Sequence, residues 1–100
     1  LEQVLLNLIK NSIQAIKEVK NPFVKIYGFI NTEERLQIDI IDNGIGIPEE
    51  ISDKIFVPFY STKKEGSGIG LSVARYIMQL HGGQLNVNTS TGKTIFSLVF

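Results

Sequence analysis

Two glycine-rich segments are the residues of this chain best suited to chemistry. The first reads DNGIGIP from Asp42 to Pro48, and the second reads GSGIGLS from Gly66 to Ser72. Glycine spaced in this way lets backbone N–H groups approach a ligand closely, because no Cβ blocks them. The second segment leads into an apolar-periodic stretch, which predicts a helix N-terminus at which phosphate binds well.

A pair of asparagines, Asn7 and Asn11, lies upstream of both glycine segments. Residues four apart on a helix point to the same side. Amide oxygens are usable Mg²⁺ ligands when phosphates supply the rest of the octahedron. The ordinary alternative is a pair of polar residues on a solvated face, but apolar neighbours place this pair beside the buried side. The three segments together predict a nucleotide site.

Asp42 ends a predicted strand, where its carboxylate could accept a hydrogen bond from an exocyclic amine such as that of adenine. The alternative is a tight turn, because Asn43-Gly44 is a common hairpin signal. A hairpin needs a returning strand, whereas the chain breaks at Pro48 and turns helical. The sequence therefore favours a ligand-binding role for this segment.

Three further features carry weaker signals. Lys63 and Lys64 precede the second glycine segment, either as ordinary surface lysines or as groups that reach a triphosphate. Gly92-Lys93-Thr94 looks like the end of a P-loop but lacks its leading glycine. His81 lies in a last helical turn, where a histidine favours the helix dipole, and we interpret it as structural.

Composition excludes several classes of protein. One hundred residues correspond to one domain, and ten basic residues balance ten acidic ones. We therefore expect no nucleic-acid partner and no direct membrane contact, because the chain carries no net positive charge that would attract either. The absence of cysteine excludes disulfides and thiolate zinc sites and fits a cytoplasmic location.

Hydrophobic periodicity predicts the first elements. An amphipathic helix runs from Leu1 to about Lys17, and Ser12 lies among the residues of its apolar face. Strands are predicted at 23–30 and 36–41, the second from its strict alternation of apolar and polar residues.

The second half of the chain returns from helix to strand. A short helix is predicted from Pro48 to Ile55, a long loop over 56–66 and a second helix over 69–80. Strands at 84–88 and 94–100 form a final hairpin. This order of helices and strands along the chain predicts an α+β domain, with one sheet and the helices on one of its faces.

The order of four motifs resembles the ATP-binding domain of sensor histidine kinases, within the GHKL superfamily. They span Asn7 to Asn11, Asp42 to Gly46, Phe56 to Phe59 and Gly66 to Leu71. The resemblance covers essentially the whole chain. It implies the Bergerat fold, a two-layer α/β sandwich with a mixed or antiparallel sheet.

The resemblance also implies residue roles at the nucleotide. Asn11 would bind Mg²⁺, and Asn7 would contact a phosphate or a metal-bound water. Asp42 would bind the adenine amine, with Gly44 and Gly46 shaping the loop beside it.

Further roles follow from the remaining motifs. Three glycines would surround the phosphates, a leucine would pack beneath them and a strand threonine would lie near the adenine. These residues are Gly66, Gly68, Gly70, Leu71 and Thr94.

The chain departs from the family pattern in two places. Gln14 and Ala15 stand where many of these kinases carry a basic and an aromatic residue, so Lys10 or Lys63 would handle phosphate charge instead. The family domain normally has a strand before the first helix, so we expect that strand and the acceptor-helix domain to lie outside this chain, leaving one sheet edge open.

The function implied is binding of Mg-ATP and transfer of its γ-phosphoryl group to a histidine on a separate dimerisation domain. This domain would then contribute no catalytic residue beyond those that position ATP. We expect the chain to be a monomer, and its parent to be a homodimer that serves a response regulator, with a possible membrane anchor.

Two alternatives stay open at this point. One is a nucleotide-responsive binding module without phosphoryl transfer. The other is a GHKL ATPase, although those enzymes place a glutamate where this chain has Asn7, and an amide cannot act as a general base.

Overall fold

The architecture follows from a computed structural model that describes residues 2–52, 54–57, 70–90 and 92–100. Within these ranges the chain forms two α-helices, one short 3₁₀ helix and four strands. In chain order they are α1 (Glu2–Ala15), β1 (Val24–Ile30), β2 (Leu36–Asp42), the 3₁₀ helix (Glu49–Ile51), α2 (Gly70–Leu80), β3 (Gln84–Ser90) and β4 (Lys93–Val99).

The described strands form one sheet in the order β1-β2-β4-β3, and each neighbouring pair is antiparallel. β2 and β4 are therefore adjacent although α2 and β3 separate them in sequence. Both helices contribute to one core with the sheet, so they lie on the same face. This confirms the predicted α+β class, with an antiparallel sheet.

The core lies between the helices and one face of the sheet. α1 supplies Val4 and Leu8 to it, α2 supplies Ala74 and Met78, and all four are fully buried. Burying each large apolar side chain contributes about 1.5–3 kcal/mol. The amphipathic patterns of the two helices therefore determine which side of the sheet they cover.

The helix-facing residues of the sheet change character along the strands. Two rows that cross all the described strands are apolar apart from one glycine. These rows are Gly28-Ile38-Leu98-Leu85 and Ile26-Ile40-Phe96-Val87. The next row is Val24-Asp42-Thr94-Thr89, and it is polar on its last three strands. This polar row, Asp42-Thr94-Thr89, ends the core at one edge.

β1 is the least buried of the described strands. Ile26 is 53% exposed and Ile30 is 66% exposed, and β2 is its partner among the strands that the structure describes. The expectation that a strand preceding α1 lies outside this chain, which leaves one sheet edge open, stays a prediction.

The ends of several elements differ from the sequence-based expectation. α1 stops at Ala15 rather than near Lys17, and the chain continues in turns, in which Lys17 N–H donates to the Gln14 carbonyl at 3.5 Å; the free Ala15 carbonyl accepts Ile45 N–H at 3.4 Å. The predicted helix to Ile55 is instead a single 3₁₀ turn, Glu49–Ile51, followed by further turns. The predicted loop from position 58 onward and the predicted helix start at Ile69 lie outside the described residues.

Gly44 permits the closest approach between α1 and the sheet. A Cβ on Gly44 would lie 2.7 Å from both the Cβ and the carbonyl oxygen of Ala15. Because one of these atoms is backbone, the end of α1 would have to move to accept a side chain. The absence of a Cβ at this position is therefore a packing requirement.

Replacing Gly44 with alanine should lower the free energy of unfolding by about 1–3 kcal/mol, the usual cost of overpacking. The control is Gly28→Ala, because a Cβ on Gly28 meets no atom within 4 Å. Urea denaturation of both variants measures the difference. Equal stability of the two variants would contradict the close packing of α1 on Gly44.

Candidate functional site

Asp42 is a buried carboxylate at the polar end of an otherwise apolar strand face. Its side chain is 1% exposed, and its Oδ1 accepts a hydrogen bond from Gly44 N–H at 2.9 Å. Burying a carboxylate is costly, so the site must supply hydrogen bonds to it. A carboxylate has about four lone-pair positions, and the Gly44 bond uses one. Asp42 can therefore accept further hydrogen bonds, and an amine of a ligand is one candidate donor.

Two threonines continue the polar row beside Asp42. Thr94 pairs with Asp42 across β2 and β4 and is 3% exposed. Its Oγ1 lies 3.3 Å from the Oγ1 of Thr89, which also accepts Ile47 N–H at 2.9 Å. The threonines therefore connect the carboxylate to the loop that follows β2.

Gly46 holds that loop in a conformation that a side chain would disturb. Its φ is +80°, in the left-handed region that glycine adopts at low cost. A Cβ there would also lie 2.6 Å from the carbonyl oxygen of Ser90. The predicted role of Gly46, shaping the loop beside the base, is compatible with this geometry.

The paired asparagines lie on α1 where it meets the start of α2. Asn7 Nδ2 donates to the carbonyl oxygen of Gly70 at 3.0 Å, and Asn11 Nδ2 donates to the backbone carbonyl of Asn7 at 2.9 Å. Both residues are half-buried, as their apolar neighbours predict. Because Gly70 is the first residue of α2, the asparagines lie beside a helix N-terminus, which favours anions.

The remaining predicted site residues divide into two groups. Lys10 is exposed on α1, and Leu71 is partly buried against the core in the first turn of α2. Lys63, Gly66 and Gly68 lie outside the described residues. Among the described residues the structure thus joins the asparagine pair to the start of α2, and Asp42 to Thr94 and Gly44.

The sequence analysis assigns no role to Thr89, because the predicted strand ends at Asn88, whereas β3 extends to Ser90. Ser12 is a second buried polar residue without a predicted role. Its signal in the sequence is a polar residue at an apolar position of the helical pattern.

No helix in the described part of the chain is long and apolar enough to cross a membrane.

Comparison with known proteins gives a consistent result. The family described as histidine kinase-, DNA gyrase B-, and HSP90-like ATPase matches residues 1–100. The sensory histidine kinase/phosphatase NtrB of Proteus hauseri is 34% identical over 98% of this chain and 30% of that protein. The signal transduction histidine-protein kinase ArlS of Staphylococcus aureus is 39% identical over 99% of this chain and 23% of that protein. The chain thus spans less than a third of these two relatives.

A solved structure shows the same fold. The catalytic domain of histidine kinase ThkA superposes with a TM-score of 0.83 at 35% identity, over 99% of this chain and 64% of that one. The similarity supports the sandwich of helices on one sheet face that the four motifs implied.

Replacing Thr89 with valine should release the loop after β2, because Ile47 N–H loses its acceptor while the side-chain shape is kept. Losing a hydrogen bond of about 1 kcal/mol corresponds to roughly fivefold faster amide exchange at Ile47. The control is the amide of Phe100, which donates to Leu36 at 2.8 Å. Exchange measured by NMR should accelerate at Ile47 and not at Phe100; equal acceleration at both amides would contradict a local anchoring role.

Proposed function

Because this chain belongs to the histidine kinase-, DNA gyrase B- and HSP90-like ATPase family, we propose that it is the ATP-binding domain of a two-component sensor histidine kinase. It binds Mg-ATP and presents the γ-phosphoryl group to a histidine on a separate dimerisation domain. The named relatives are sensor kinases, and the ThkA structure is a catalytic domain of the same class.

The buried carboxylate of Asp42 is the observation that carries the nucleotide assignment. Its strand is apolar on the helix-facing side until this residue, so burying a carboxylate there is costly, and the hydrogen bond from Gly44 N–H offsets part of that cost. Adenine offers an amine donor that a carboxylate accepts well. The polar row therefore supports the proposal that adenine binds at this end of the site, where Asp42 would accept a hydrogen bond from its amine.

The asparagines support the phosphate end. A hard cation takes oxygen ligands, and amide oxygens together with phosphate oxygens form such a set. Asn11 would hold Mg²⁺, which shields the charge of the triphosphate when it is bound. Asn7 contacts the first residue of α2, so the helix N-terminus lies where phosphate oxygens would meet it. We further propose that the glycines at 66, 68 and 70 surround the phosphates. The lysines at 10 and 63 would offset phosphate charge.

Asn7 also favours transfer over hydrolysis. An amide does not accept a proton near neutral pH, so it cannot activate a water molecule as a general base. A kinase does not need that step here, because the acceptor imidazole is itself the nucleophile. Positioning and charge shielding are then the main tasks of this domain.

The proposal includes partners beyond this chain. The dimerisation domain of the same protein supplies the histidine, and a response regulator receives the phosphoryl group afterwards. Full-length relatives are three to four times longer than the matched segment, which leaves room for such domains. The parent would act as a homodimer with this domain in the cytoplasm.

Replacing Asp42 with asparagine should weaken Mg-ATP binding roughly tenfold to a hundredfold, since a charge-assisted hydrogen bond contributes about 1.5–3 kcal/mol. Asparagine keeps an oxygen for Gly44 N–H but turns an amide donor toward the adenine amine. Calorimetric titration with a non-hydrolysable ATP analogue and Mg²⁺ measures the change. The matched control is Asp39→Asn, three residues earlier on the outer sheet face.

An unchanged affinity of Asp42→Asn for Mg-ATP would show that Asp42 does not bind the base. Absence of binding in the unmodified protein would overturn the nucleotide assignment itself. Loss of affinity in Asp39→Asn as well would point to a general effect on β2.

Transfer should depend on Asn11. With ATP and Mg²⁺, the protein should phosphorylate the separately supplied dimerisation domain, and Asn11→Ala should lower the rate at least about tenfold by removing a metal ligand. Alanine suits a helix, so α1 should persist. The control is Asn86→Ala, on the outer face of β3.

Other outcomes identify the alternatives. Tight binding without transfer would indicate a nucleotide-responsive module. Steady release of inorganic phosphate by this domain alone would indicate an ATPase. Phosphohistidine at His81 would contradict the need for a separate acceptor.

A further inference from the structure

Asn43 and Gly44 form the one Asn-Gly dipeptide of this sequence. Asparagine followed by glycine is the dipeptide at which proteins deamidate most readily, because no Cβ hinders attack of the glycine nitrogen on the asparagine side chain. The proposed nucleotide site makes no use of the Asn43 carboxamide. The contacts of this side chain therefore decide whether the reactive dipeptide can react.

Two hydrogen bonds hold the Asn43 side chain against the connection between α1 and β1. Its Oδ1 accepts Phe23 N–H at 2.8 Å, and its Nδ2 donates to the carbonyl oxygen of Asn21 at 3.0 Å. Asn21 has a φ of +54°, a left-handed conformation that residues other than glycine adopt uncommonly. The carboxamide therefore cannot turn toward Gly44 N without breaking both bonds and releasing this part of the chain.

The nitrogen that would attack is held as well. Gly44 N–H donates to Oδ1 of Asp42 at 2.9 Å, and both residues are buried. The carboxylate opposes loss of the N–H proton, because an amide anion would lie beside a second negative charge. Ala15 packs against Gly44, so a shift of this backbone would also have to move the end of α1.

We propose that Asn43 is a deamidation site whose reactivity the fold suppresses, and whose modification disrupts the loop after β2. In the reaction, Gly44 N bonds to Cγ of Asn43 and the bond from Cγ to Nδ2 breaks. Ammonia leaves and takes the Gly44 N–H proton. Water then opens the cyclic imide at either of its carbonyl carbons. One product is aspartate, and the other is isoaspartate, in which the main chain runs through Cβ and Cγ.

Each product removes contacts of the unmodified loop. Aspartate keeps an oxygen for Phe23 N–H, but it has no donor for the Asn21 carbonyl and places a second carboxylate beside Asp42. Isoaspartate also lengthens the main chain by a carbon atom between Asp42 and Gly44. This disturbs the hydrogen bond between those two residues and the contact with Ala15.

The test compares deamidation in the folded and the unfolded protein. The whole chain is incubated at mildly alkaline pH with and without guanidinium chloride, and peptide mapping by mass spectrometry measures deamidation at each asparagine. In the denaturant, Asn43 should deamidate first. In the folded protein its rate should be about a hundredfold lower, because three hydrogen bonds of ordinary strength have to break before the imide forms.

Asp42→Ala tests how the attacking nitrogen is held. It removes the acceptor of Gly44 N–H, so deamidation of the folded variant should be about threefold to tenfold faster than that of the unmodified protein. Each rate is divided by the rate of the same chain in denaturant, which removes effects of sequence alone. The control is Asp39→Ala, on the outer sheet face, which should leave the rate unchanged.

Two results would overturn the protective role of the fold. One is a rate in the folded unmodified protein that equals the rate in denaturant, a comparison that stands even if Asp42→Ala does not fold. The other is slower deamidation in folded Asp42→Ala, which would show that the carboxylate acts as a base toward Gly44 N–H.

A second readout concerns the modified protein. Chains deamidated in denaturant, which carry mainly isoaspartate, are separated by ion exchange and refolded. They should melt at a lower temperature than Asn43→Asp, which carries the same added charge on an intact main chain. A melting temperature equal to that of Asn43→Asp would overturn the effect of the lengthened main chain.

The affinity of the modified chains for Mg-ATP should also fall, and only this expectation rests on the proposed function. If the unmodified protein binds no ATP, the proposed function fails, whereas the deamidation rates and melting temperatures still decide the role of Asn43.

Discussion

The contact between the end of α1 and Gly44 is the constraint on which the rest of this structure depends. Here Gly44 lets Ala15 approach closely, and the Ala15 carbonyl accepts Ile45 N–H. This contact fixes the axial position of α1, and with it the position of every residue on its inner face.

Two parts of the candidate site follow from that fixed position. Toward the sheet, Val4 and Leu8 belong to the core that the residues of the apolar rows complete. Toward α2, Asn7 reaches the carbonyl of Gly70. α1 thus contacts both the loop after Asp42, through Ala15, and the start of α2, through Asn7. In the proposed function these are the base end and the phosphate end of one nucleotide site, and a displaced α1 would separate them.

The polar row places hydrogen-bonding groups at the end of an apolar core, which the proposed function explains as a binding surface. The helices pack on two apolar rows of the sheet, whereas Asp42 and Ser12 place polar groups in the same buried layer. In natural proteins, residues that conflict with their structural environment occur mainly at functional sites, where a bound ligand can restore part of the lost stability. Asp39 and Asn86 lie on the outer sheet face, where neither is buried as Asp42 is.

The sequence by itself determined the element types and the position of the chemistry. The periodicity of α1 and the alternation in β2 predicted both elements, and the four motifs predicted Asp42 at a strand end and the asparagine pair on a helix. These signals are local, because helix and strand periods depend only on which residues must be buried. Tertiary structure decided the strand order, which places Thr94 and Thr89 beside Asp42, and the position at which α1 stops. An alternating strand shows the same pattern whichever neighbour it pairs with, so the sequence could not tell that Thr94 and Thr89 lie beside Asp42.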